Sequence, residues 1–182
     1  EIEDHFDKYR ISDALMTIYK LVWDDLCSWY LEIVKPGFEK PIDRTTYDQT
    51  IIFFKKCLTI MHPFMPFISE EIWSKIKSDL ESPLIISDWP KSKKVNKSII
   101  NEFESLTELI SSIRKYRKEK SVSFKENLIL FSKVSLNKKA NAILLKLANT
   151  EITNDFSEMH ENSSSFIVGS NEFHFNNKTD LI

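Results

Sequence analysis

Glycine is nearly missing from this chain: there are two, Gly37 and Gly169, in 182 residues. A loop that cradles phosphate needs several glycines where backbone approaches the anion, so a Gly-rich nucleotide-binding loop is excluded. Cysteine is as scarce. Cys27 and Cys57 lie among apolar residues at helical spacing and are expected as buried, reduced thiols. Four scattered histidines (His5, His62, His160, His174) give no zinc-type spacing with them, so no metal site is expected. No apolar run approaches the ~18 residues of a membrane span and no signal-peptide layout opens the chain, which makes the cytoplasm the expected location. An initiator Met is also lacking. Residues 1–9 read as the last turns of a helix whose beginning is missing, as in a piece cut from something larger.

What is present describes an ordinary globular protein: 42% hydrophobic residues, 29% charged, formal net charge −2. That balance argues against nonspecific nucleic-acid binding by the whole surface. The charge is uneven, however. Between Lys91 and Lys125 ten Lys and Arg face four Glu and no Asp, a local +6. The densest run is Arg114-Lys115-Tyr116-Arg117-Lys118-Glu119-Lys120. Two explanations stand side by side: a solvated helix end favoured by the macrodipole, or a phosphate-tracking patch with Tyr116 interleaved.

The periodicity predicts a mainly α protein. A helix over 12–35, capped by Ser12 and stopped by Pro36-Gly37, carries one narrow polar stripe and is expected as the central helix of a bundle. A second helix over 45–62 presents Tyr47, Ile51, Phe54, Leu58 and Met61. His62-Pro63 ends it, and Pro66 suits the first turn of a third. Pro83 to Pro90 reads as an extended connector, and a fourth helix over 98–120 buries Phe103, Leu106, Leu109, Ile110 and Ile113. After residue 120 the character changes: a strand over 126–134, a short helix over 138–149, and two strands about Gly169-Ser170-Asn171 as a hairpin turn. The expected organisation is a helical bundle over 1–120 with its first helix truncated, then a small α/β module over 121–182.

Two blocks combine low-frequency residues in fixed order: Trp23-Asp24-Asp25-Leu26-Cys27-Ser28-Trp29-Tyr30-Leu31-Glu32 and Met61-His62-Pro63-Phe64-Met65-Pro66-Phe67-Ile68-Ser69-Glu70-Glu71-Ile72-Trp73. Together they resemble the anticodon-binding helical domain of the class I aminoacyl-tRNA synthetases for branched aliphatic amino acids. The His-Pro-Phe-Met-Pro-Phe wording is most similar to the valyl branch. Asp88-Trp89-Pro90 and Ile113-Arg114-Lys115-Tyr116-Arg117 are looser matches, and the tail resembles the small module that follows in valyl enzymes. Ser28 departs from the Asp that many members carry there, so no carboxylate role transfers to it.

The resemblance implies a bundle that binds the anticodon stem and loop of tRNA(Val) while a separate catalytic domain performs aminoacylation with ATP and magnesium. The two signature motifs of that domain are absent here. Lys91-Ser92-Lys93-Lys94 is superficially similar to one of them but lacks its Met, and is taken as a basic linker. The chain alone is therefore expected to be catalytically inactive, to hold no cofactor of its own, and to act as a monomeric tRNA-positioning part of a ligase. The same resemblance places Tyr19, Lys20 and Asp88 near bases and Lys8, Arg10, Arg114, Arg117 and Lys118 near phosphates. Trp23, Trp29, Tyr30 and Trp73 are open between base platforms and core. The competing readings are an architectural or protein-binding bundle without anticodon readout, and a free-standing tRNA-binding module.

Overall fold

The computed structural model describes residues 1–92, 94–160 and 163–176. Lys93, Glu161, Asn162 and the chain's last six residues lie outside them. The chain divides into two compact units, Glu1–Lys93 and Lys94–Ile182, whereas from sequence the change is expected at 120/121. The reason is local to the second unit: the basic helix buries Leu106, Leu109, Ile110 and Ile113 there and packs on that unit's own helix and hairpin.

The first unit is helical. α1 (Ile2–Asp7) ends in a turn where Tyr9 takes a left-handed conformation, φ 57°. That turn starts helical geometry early, so α2 (Ile11–Tyr19) is preceded by Arg10, and Ser12 lies inside the first turn instead of capping it. The helix then widens into a π-helical segment, Lys20–Tyr30, before closing as α3 (Leu31–Val34). Such segments place each N–H on the carbonyl five residues back, and they are rare. The central-helix expectation needs correcting. Across 11–34 only Ala14, Ile18 and Leu26 are buried, while Ile11, Leu15, Met16, Tyr19, Trp23 and Leu31 are exposed.

α4 (Arg44–Met61) has the stronger start: Asp43 accepts from the Thr46 amide at 2.9 Å, an N-cap that satisfies one orphan donor. α5 (Pro66–Ile76) begins with proline at its first turn. Buried Leu58, Trp73 and Leu84 form a core with Phe54, Ile72 and Ile76 packed against it. Leu84 opens a 3₁₀ turn, Leu84–Ile86, in the connector that follows. The thiols divide: Cys57 is buried as expected, but Cys27 is exposed.

In the second unit α6 (Lys97–Glu119) is followed by β1 (Leu128–Ser132), α7 (Lys138–Ala148), β2 (Thr150–Thr153), β3 (Ser163–Val168) and β4 (Asn171–Asn176). The sheet order is β2-β1-β4-β3. β1 and β2 are parallel, joined through α7 as a βαβ unit, and Leu128 stands opposite Thr150. β1–β4 and β3–β4 are antiparallel. β2 was not foreseen, because Thr-Glu-Ile-Thr is too short to show a period. The hairpin turn is Gly169-Ser170, with Gly169 at φ 59° where a side chain would be strained. Phe166, Phe173 and Phe175 stack across the hairpin at 5.5–5.6 Å.

Candidate nucleic-acid interface

The two sequence blocks are structural joints before they are anything else. In the second block His62 follows α4 and Ser69 sits in α5, with His62 Nδ1 and Ser69 Oγ 2.8 Å apart. Ser69 Oγ also reaches the backbone before it, 2.7 Å from Met65 O and 3.2 Å from Pro66 O, which fixes the turn between the two helices. Phe64, from the same turn, stacks on Phe6 of α1 at 5.9 Å, and Trp89 meets Phe6 edge-on at 6.0 Å. This cluster ties the Asp88-Trp89-Pro90 segment to α1. In the first block the Tyr30 hydroxyl is 3.0 Å from Thr50 Oγ1, its ring meets Phe53 at 5.6 Å, and Ser28 Oγ donates to Trp23 O at 2.8 Å. Trp73 is core, with Nε1–H donated to Ser82 O at 2.9 Å.

The ring of Trp23 belongs to neither joint. It is 60% exposed, and Tyr19, one turn earlier, is 51% exposed. The two rings stack at 6.1 Å with planes 13° apart. Apolar rings this exposed, prearranged in parallel and next to an exposed Lys20, match what an unstacked base requires: a flat π-face and a nearby cation. Nearby, burial together with the adjacent Asp24 pushes the Asp25 carboxyl up from its usual range.

The remaining first-unit candidates stand at the α1–α2 turn and the connector. Lys8 is exposed and paired with Asp4 one turn back, Nζ to Oδ2 2.8 Å. That pairing holds the exposed Asp4 carboxyl below its ordinary pKa, with the Lys8 hydrogen bond the largest cause. Arg10 and Asp88 are exposed. Asp88 is brought towards α1 through its neighbour Trp89. Tyr19 and Lys20 are two turns or more along the next helix from Arg10.

In the second unit the basic run resolves into different roles. Arg117 is 5% exposed. Its guanidinium donates to four backbone carbonyls: Ser123 O at 2.7 Å, Glu126 O at 2.9 Å, Ala148 O at 3.1 Å and Asn149 O at 2.8 Å. Burial lowers its pKa, Glu126 opposing, although a guanidinium stays charged in any protein. Arg114 donates from Nε and Nη2 to Leu147 O at 3.2 and 3.1 Å. Three successive carbonyls at the C-terminus of α7, which lack helical partners and carry its partial negative charge, are thus capped by two arginines of α6. Asn149 completes the cap in a left-handed conformation (φ 46°), its Nδ2 donating to Phe124 O at 2.8 Å.

The phosphate role expected for Arg117 is corrected by this geometry, since four of its five N–H donors are committed inside the fold. Tyr116 is not an interleaved RNA contact either. Its ring stacks on Phe175 at 4.4 Å, and burial raises its pKa. Lys118 remains exposed, and with Arg114, Ser121, Ser123 and Phe124 it lines an open depression of about 390 Å³. Glu70, whose carboxylate accepts from the Leu84 and Ile85 amides, and Asn149 were missed from sequence. An Asn just past the last periodic residue of a helix is a recognised C-cap signal; nothing local marks Glu70.

Compared with known proteins, residues 1–132 match the family model described as the anticodon-binding domain of tRNA ligase. The match runs through the whole first unit and through α6 and β1 of the second. The valine–tRNA ligase of Christiangramia forsetii is 44% identical over 176 residues, 95% of this chain and 20% of that protein. That of Porphyromonas gingivalis is 40% identical over 174 residues, with the same shares covered. That of Mycoplasmopsis synoviae is 35% identical over 174 residues, 94% of this chain and 20% of that protein. The chain spans about a fifth of the length of the curated relatives it matches.

Proposed function

The chain belongs to the anticodon-binding domain family of tRNA ligases, and from that membership we propose that it is the tRNA-selecting part of a valine–tRNA ligase. In this role it grips the anticodon stem-loop of tRNA(Val) and orients the acceptor end for ATP- and magnesium-dependent aminoacylation by another part of the ligase. The chemistry of valine activation belongs to that other part. What these residues supply is position, and holding a substrate in reactive geometry is itself a large share of catalysis. We read the assembly as monomeric and cytoplasmic.

The observation that carries the proposal is the exposed Tyr19–Trp23 stack beside Lys20 on the surface of a chain of this family. Two parallel, half-exposed aromatic rings offer unstacked bases a ready stacking face. In this assignment Tyr19 and Trp23 meet bases, with Lys20 and Asp88 beside them. Lys8, Arg10, Arg114 and Lys118 meet phosphates, and Arg117 acts only through the loop it holds. Recognition then divides as in other RNA readers, cations giving affinity and stacked or hydrogen-bonded bases giving selectivity.

The test is a salt titration of binding to a valine tRNA transcript and to the same transcript with its anticodon replaced. Preference for the native anticodon by about tenfold, ~1.4 kcal/mol, supports readout. Equal affinity for both with a steep salt slope reduces the chain to a backbone-holding module, and no binding to either refutes the proposal.

A further inference from the structure

The connector that carries Asp88 is not held by packing along its length. Leu84 is buried, but the next two residues, Ile85 and Ile86, are 72% and 70% exposed. A cavity of about 540 Å³ opens between α5 and the connector, lined by His62, Pro66, Phe67, Glu70, Pro83 and Ile85 among others. Polar bonds from α5 fix the backbone instead. The Glu70 carboxylate accepts from two successive amides, Leu84 N–H at 3.0 Å on one oxygen and Ile85 N–H at 3.2 Å on the other. Those amides open the 3₁₀ turn and have no partner within it, so Glu70 caps that turn from a different helix. Trp73 holds Ser82 O one turn further along α5. Beyond the turn, the next anchor is Trp89 on Phe6. Asp88 therefore stands between two fixed points, one of them set by Glu70.

We infer that Glu70 is a positioning residue for anticodon discrimination: its carboxylate caps the Leu84–Ile86 turn and thereby sets where Asp88 meets the RNA. The inference rests on the anticodon-binding function proposed above. Glu70 itself touches no RNA in this scheme. A carboxylate is needed because both of its oxygens accept, whereas the carboxamide of glutamine presents one acceptor and one donor to the same two N–H groups.

The experiment uses the whole chain with Glu70→Gln, Asp88→Asn and the double variant. Each is measured for affinity to the native and the anticodon-replaced transcript, and the amides of Leu84 and Ile85 are followed by hydrogen exchange. The expected result is that Glu70→Gln speeds exchange at both amides and cuts the preference for the native anticodon by about fivefold, the net worth of one ordinary hydrogen bond. The double variant should lose no more preference than Asp88→Asn alone, since both changes act through one contact. Faster exchange with undiminished preference, or losses that multiply in the double variant, overturns the positioning role while leaving anticodon readout in place. If the unaltered chain shows no preference, anticodon readout itself fails and this inference falls with it.

Discussion

Replacing Arg117 with methionine tests how the second unit is held together. The substitution keeps an apolar stem of similar length and removes all four donors. Hydrogen bonds to a charged group contribute ~1.5–3 kcal/mol each. Four of them do not add, because removing the guanidinium also ends the cost of burying it, a cost of several kcal/mol. The carbonyls of Ser123 and Glu126 lie in a loop with exposed residues around it and regain water. Those of Ala148 and Asn149 lie beside buried Leu147 and Thr150 and each keeps one other donor, Thr150 Oγ1 at 3.0 Å and Leu128 N–H at 3.1 Å. A net loss of about 3 kcal/mol is expected, within the range for a broken buried network. For a unit of this size that is a fall of roughly 12–24 °C in its thermal midpoint. Urea unfolding of the whole chain, followed by far-UV circular dichroism, reads the change. Arg117→Lys should lose nearly as much, because a point ammonium cannot span carbonyls from two separate stretches of backbone. Lys118→Met, one residue away and exposed, should stay within about 0.5 kcal/mol of the parent. A methionine variant as stable as the parent, or a lysine variant that keeps full stability, would refute the Arg117 contacts as a source of stability.

Other outcomes follow from the same geometry. Lys118→Gln should lower the magnitude of the salt slope for tRNA binding by about 0.7–0.9, one counterion, and an unchanged slope removes Lys118 from the phosphate contacts. Trp23→Ala should weaken tRNA binding by about 1–3 kcal/mol, the worth of one base–aromatic stack, with its unfolding midpoint almost unmoved; normal binding would leave the Tyr19–Trp23 pair without a role. Burial pushes the Cys57 thiol up to about 11 from 9.0. Native protein should therefore show one fast thiol, Cys27, towards a disulfide reagent at pH 8, and two once unfolded. As pH rises from about 9 to 11 the unfolded chain loses that proton before the folded one does, so stability should fall by ~2–3 kcal/mol across that window. Gly169→Ala should cost ~1–2 kcal/mol from the left-handed backbone alone, since no atom crowds an added methyl, and leave RNA binding intact.

Much of the element order was legible because helical period and proline are local signals. Pro66 and the Gly169 turn stand where one-dimensional rules put them. What failed was whatever depends on partners far along the chain. A stripe of apolar residues over 11–34 says that a face is apolar, not that anything in the same chain covers it, and Tyr19 and Trp23 are the result. A run of cations says nothing about which of them point inward. Arg117 and Lys118 are adjacent in sequence and differ by a rotation of one residue on a helix, yet one is sealed against Ala148 and Asn149 and the other meets solvent. The site was legible as a family and a surface, while the role of each basic residue needed three dimensions.

The outermost strand of the sheet has a practical consequence. Among the described residues β3 pairs only with β4, and its sequence, Ser-Ser-Ser-Phe-Ile-Val, holds no charge and no proline. Natural sheets blunt such borders with lysine, proline or a bulge, because a bare row of N–H and C=O groups is a template for the next chain. Ile167, 70% exposed on that strand, adds an adhesive side chain to the template. Concentrated stocks should therefore be limited by strand-to-strand aggregation before they are limited by melting, and a single lysine at position 167 is the economical way to make the protein keep.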